Sequence, residues 1–139
     1  MIVGWALSIL LVVSQSEQWE MIGTTNSGVR ILVDAGSIQS SGPERTATIR
    51  LGSPGSLAGK IVEARQYERF DCATRHWALL GYVAYADDGS VVDHKSPGPA
   101  PATMAPVVPD TIGEAVLDFV CTYQPGAAPS SGAATREPN

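Results

Sequence analysis

The chain has 139 residues, 44% hydrophobic and 17% charged, which is the length of one domain with apolar material for one core. Its net charge is −5, and its seven arginines and two lysines, Lys60 and Lys95, form no basic run; this excludes the usual electrostatic footprint of a nucleic-acid or anionic-membrane binder. Two cysteines outside any CxxC pair, with two histidines, also fit no zinc-site spacing, so neither a metal nor another cofactor is expected.

Residues 1–16, MIVGWALSILLVVSQS, carry no charged side chain, and an apolar run over 2–13 ends in small residues at alternate positions. This is the shape of a secretory signal with cleavage between Ser16 and Glu17, although the basic residue that usually opens a signal is missing. The run is shorter than the roughly 20 residues a transmembrane helix needs. A buried first strand or helix is the structural alternative. No cysteine follows it to carry a lipid. The folded domain is expected over 17–123.

Residues 18–24 and 29–34 flank Thr25-Asn26-Ser27-Gly28 and read as a hairpin. After a turn at 40–43, residues 45–51 alternate, with Ala47, Ile49 and Leu51 on one face and Thr46, Thr48 and Arg50 on the other. A loop at 52–56 leads to a long strand over 60–72. There Val62, Ala64, Phe70 and Cys72 share one phase, and Arg65, Tyr67, Arg69 and Asp71 the other. Residues 75–86 form the most apolar strand and are expected to lie centrally. Asp87-Asp88-Gly89 turns the chain into a short strand over 90–94.

Residues 96–109 contain five prolines, which removes ladder donors and suits an extended crossing segment. A helix is expected over 111–121. Asp110 can cap it, and Thr111 with Glu114 matches a capping box. Ile112, Ala115, Val116, Phe119 and Val120 fall on its apolar stripe, with Cys121 at the edge and Glu114 and Asp118 opposite. Cys121 can reach the sheet only if the helix lies close along that edge or frays at its last turn. Residues 124–139 read as a disordered tail. The fold class is α+β, an antiparallel sheet of about six strands with one C-terminal helix. In an exported chain the even cysteine pair suggests a Cys72–Cys121 disulfide, with two buried thiols as the alternative.

No catalytic set emerges, and the reading is non-enzymatic. His76 lies on a strand, where an ordinary structural role is the default. The letters Asp93, His94 and Ser96 resemble a triad, but near neighbours on a strand and loop diverge in direction. Asp87 and Asp88 are adjacent in a turn and do not make a glycosidase pair. The segment 52–60, GSPGSLAGK, lacks the P-loop spacing. Trp5 falls in the signal, whereas Trp19, Trp77, Tyr67, Tyr82 and Tyr85 are core fillers by default, with a binding platform as the alternative.

The ordered features resemble the bacterial surface-adhesin protein E family. The likeness runs from Trp19 through Val33-Asp34, Ser37-Ile38, Tyr67-Glu68-Arg69-Phe70-Asp71-Cys72, Arg75, Tyr82, Tyr85, Asp88-Gly89 with Val91-Val92, and residues 106–109, to the helix closing at Cys121. The resemblance implies a sheet with its C-terminal helix tied down by the cysteine pair, and residence at the cell envelope, in the periplasm, at the outer membrane or beyond it. It also implies binding of extracellular-matrix or plasma proteins such as laminin, vitronectin or plasminogen, through a solvent face or sheet edge. No ligand-binding residue is named by the sequence. The alternative is a periplasmic structural or accessory protein with no host ligand, which the acidic, lysine-poor composition favours.

Overall fold

A computed structural model describes residues 17–99 and 103–124. The expected signal over 1–16, with Ser16 of its cleavage site, residues 100–102 of the connector and the tail from 125 lie outside the described residues. Six strands follow one another as an antiparallel meander in spatial order β1 to β6. They are β1 (Trp19–Thr24), β2 (Arg30–Ser41), β3 (Glu44–Gly52), β4 (Glu63–Asp71), β5 (His76–Tyr85) and β6 (Val91–Lys95). A two-residue β7 (Ala105–Pro106) pairs with β5, and α1 (Ile112–Thr122) closes the domain.

The alternation in β3 places Ala47, Ile49 and Leu51 toward the helix as expected. Together with Ile31, Val33, Ile38 and Phe70 they receive Val116, Leu117 and Val120 of α1. Phe70, Leu117, Val33 and Val120 are the largest side chains removed completely from solvent, each contributing about 1.5–3 kcal/mol by burial. The helix stripe is rotated from expectation. Leu117 lies at its centre and Ala115 is exposed, because a methyl group loses little by facing water whereas a leucine loses much.

β2 runs on to Ser41, well past the expected end at Asp34, through a register irregularity between Asp34 and Gln39. The Asp34 carboxylate accepts the Gln18 and Gly36 N–H groups at 2.9 and 3.0 Å. The Ser37 hydroxyl donates to the Asp34 carbonyl at 2.7 Å and accepts the Thr48 N–H at 2.8 Å. These side chains satisfy backbone groups that the bulge removes from the ladder.

β5 is the fifth strand of six, so its expected central place belongs instead to β3 and β4. Its outer edge is shared, with β6 along Tyr82–Tyr85 and β7 along His76–Trp77. Between them the chain passes so close that a Cβ on Gly81 would stand 2.6 Å from the Lys95 carbonyl oxygen and 2.7 Å from the Pro97 nitrogen. Only glycine fits there. The proline-rich connector thus donates a short strand, and the Val107 N–H extends it to the Arg75 carbonyl at 3.0 Å.

Thr111 is the N-cap of α1, its hydroxyl accepting the Glu114 N–H at 3.3 Å. Asp110, the other expected cap, precedes it with φ at 61°, and its N–H is 3.4 Å from the Glu114 carboxylate. The last helical turn has no basic residue of its own. Arg45 of β3 supplies the charge, its guanidinium donating to the Val120 carbonyl at 2.8 Å and to the Tyr123 carbonyl. Arg75 holds the outer side of α1 by donating to Asp118 at 2.8 Å, with Glu114 at 3.5 Å. The Cys72–Cys121 disulfide joins the end of β4 to the last turn of α1, with the Cα atoms 5.7 Å apart. The helix continues through Thr122, so Cys121 reaches the sheet from an intact turn rather than a frayed one.

Candidate functional site

The helix covers one face of the sheet and leaves the other open, and each side carries one non-routine arrangement. Beneath the N-terminal half of α1 lies an open apolar groove of about 290 Å³, walled by Ile49, Leu51, Phe70, Trp77, Val107 and Ile112, among others. On its lining stands Glu68 of β4, which is 8% exposed. Among the described residues no ion pair or hydrogen bond reaches its carboxyl. Burial alone pushes that group up from its ordinary 4.5 to about 7. Glu68 was legible in principle. The alternation that puts Ala64 and Phe70 on the helix side puts Gln66 and Glu68 there too, and reading only the apolar members of the phase passes over both.

The open face is built differently. Register places Arg50 directly across from Arg65, and Trp19 across from Asp34. Two guanidinium groups lie over the Trp19 ring, Arg50 at 5.8 Å and Arg65 at 5.6 Å from its centroid. Arg65 also lies 5.8 Å from the centre of Tyr85. The like charges of Arg50 and Arg65 are held together by Glu63, which pairs with Arg50 and lies 3.7 Å from Arg65. Glu17 accepts the Trp19 indole N–H at 2.9 Å and an Arg65 N–H at 3.2 Å. The result is a charge-balanced patch of stacked aromatic and guanidinium planes, half-exposed and joined by ion pairs. Of the five aromatic residues read as core by default, Trp77 joins the helix-side core. Trp19 and Tyr85 belong to the open patch, the half-buried Tyr67 stands between Thr48 of β3 and Gly81 of β5, and the Tyr82 hydroxyl donates to Asp93 at 2.8 Å.

The residues considered for chemistry are not brought together. The His76 ring is bonded at Nδ1 to the Thr74 carbonyl at 2.8 Å. His94 pairs across from Val83, about 20 Å farther along β5 at strand rise. The His94 N–H donates to its neighbour Asp93 at 2.8 Å, and no triad is formed with Ser96. Asp88 accepts the Ser90 hydroxyl and N–H at 2.6 and 2.9 Å, which hold its carboxyl below the usual range; this is turn chemistry. Among the described residues no group of three His, Cys, Asp or Glu side chains is placed to hold a metal ion, and no helix is long and apolar enough to cross a membrane.

The fold is similar to that of Haemophilus influenzae protein E in its crystal form II. The TM-score is 0.50 and the identity 16%, over 78% of this chain and 91% of that one. No curated protein matches the sequence significantly. The family model described as surface-adhesin protein E matches residues 19–122, from the tryptophan under the two arginines to the residue after the second cysteine. On that match the chain belongs to the surface-adhesin protein E family.

Proposed function

We propose that the chain is an exported, non-enzymatic envelope or surface protein that binds protein partners, with extracellular-matrix or plasma proteins as the partner class, through the open face of its sheet. Family membership supports the adhesive role. The observation that carries the choice of face is the Trp19 ring beneath the Arg50 and Arg65 guanidinium groups with Tyr85 alongside. Tryptophan, tyrosine and arginine dominate the energetics of protein interfaces, and here they are already stacked together in the chain without a partner. In this reading residues 1–16 are a signal removed between Ser16 and Glu17, which leaves Glu17 as the new N-terminus beside the patch. Residues 17–123 are then the adhesin-type domain, and 124–139 its disordered tail.

The test is surface plasmon resonance of the exported chain over immobilised laminin, vitronectin and plasminogen, at about 0.15 M ionic strength. Retention of wild type, weakened at least about thirtyfold in a Trp19→Ala/Arg65→Ala variant, is expected of hot-spot residues. Equal retention of the variant refutes the face. The second reading, an envelope accessory protein with no host ligand, rests on the sequence pI of 4.8 and the two lysines. Absence of retention for wild type at micromolar concentration refutes the adhesive reading in its favour.

A further inference from the structure

The groove beneath α1 is independent of that open face, and its chemistry is specific. An apolar groove gains nothing from a carboxyl group on its wall: ionised, the group loses much of its hydration, and neutral, it still has no protein hydrogen-bond partner. Glu68 is nevertheless held there on a central strand, directly across from Ala47 of β3 and Leu79 of β5, with only 8% of its surface exposed. Glu68 is the one ionisable side chain among the residues lining the groove. The helix end above it offers no competing charge, since Thr111 caps the Glu114 N–H and Glu114 itself turns outward to Arg75. An unpartnered carboxylate at the wall of a largely apolar, open groove, whose other polar side chains are Gln66 and Thr111, is complementary to an apolar molecule that carries a cation.

We propose that this groove binds a small amphiphile with an apolar body and a single cationic amine, the ammonium group donating to the Glu68 carboxylate and the body lying against Phe70, Trp77, Leu51 and Ile112. A charge-assisted bond to a largely buried carboxylate discriminates in favour of the cation. An anion of the same shape meets like charge, and a neutral alcohol brings a hydroxyl donor but no compensating charge. The volume of about 290 Å³ accommodates on the order of ten water-sized atoms, the size of a short alkylamine rather than a folded partner or a lipid.

The test titrates the folded chain with hexylamine, 1-hexanol and hexanoate at about pH 8, where both Glu68 and the amine are charged, following Kd by calorimetry and the Trp77 indole N–H by NMR. Hexylamine is expected to bind at least about tenfold tighter than 1-hexanol, with hexanoate weakest, and to shift the Trp77 resonance. In a Glu68→Gln variant the preference of amine over alcohol should vanish while 1-hexanol still binds, an outcome that loss of folding does not produce. Equal Kd values for amine and alcohol in wild type, no binding of either, or shifts confined to residues outside the groove would each overturn the proposal. So would a concentration-dependent dimer that shifts Trp77 without amine, because it assigns the groove to a second copy of the chain.

Discussion

The two faces of the sheet solve opposite problems with the same strands. On the helix side, β1 to β4 present branched and aromatic side chains to Val116, Leu117 and Val120, and three separate ties fix the helix: the disulfide, Arg45 at its C-terminal carbonyls and Arg75 along its outer side. On the open side, alternate residues of those strands present Trp19, Arg50, Glu63 and Arg65, a charged and stacked surface that needs no covering layer. The contrast shows that burial and tying are concentrated where the helix docks. The open face is held by ion pairs and stacked guanidinium groups at partly exposed positions, where such contacts add little stability.

The disulfide is the strongest of the three ties on the helix side. Replacing both cysteines by serine releases a constraint across 49 residues and is expected to cost about 4 kcal/mol in the chain-entropy model, read from urea denaturation. A loss below about 1 kcal/mol would mean that the non-covalent ties suffice.

The next effect concerns Glu68. Its carboxyl titrates at about 7 when folded against an ordinary 4.5, so the native state holds an extra proton between those pH values. Stability therefore falls as pH rises through that window, by about 3 kcal/mol in order of magnitude, and stays lower above it. Glu68→Gln should flatten this slope. Asp71 and Asp88 act in a separate and lower window. Backbone N–H donors from Thr74 and the Ser90 hydroxyl hold them below the usual range, so the stability they add is lost only as pH falls through their native values. The difference between wild type and Glu68→Gln isolates the buried group.

Arg45→Ala removes the charged donor at the helix C-terminus and should cost about 2 kcal/mol in thermal or urea unfolding. A loss comparable to the disulfide's would sharpen the comparison toward charge rather than covalent tying.

Much of the helix side was legible in the sequence because its signals are local. The period-two alternation of Ala47, Ile49 and Leu51, the Thr111–Glu114 capping box and the pair Cys72 and Cys121 each announce themselves within a few residues or by elimination. The continuation of β2 was not legible, since Gly36 and Ser37 break the apolar pattern and the bulge is satisfied by Gln18, just before β1, and by Thr48 of β3. The open-face patch was hidden for a related reason. Trp19, Arg50 and Arg65 meet only through the register of three strand pairings, and a one-residue slip in any of them would turn a member away. Glu68 sat in plain view in the core phase, but a polar letter there reads as an interruption until burial is known.

The most direct measurement of whether the open face is free of structural duty is the urea denaturation of Trp19→Ala beside wild type. A loss of about 1 kcal/mol, the scale of half-exposed cation–π contacts, is expected, with an unchanged slope. A loss of about 3 kcal/mol or more, the scale of a buried tryptophan, would place Trp19 in the core of the fold and contradict the account.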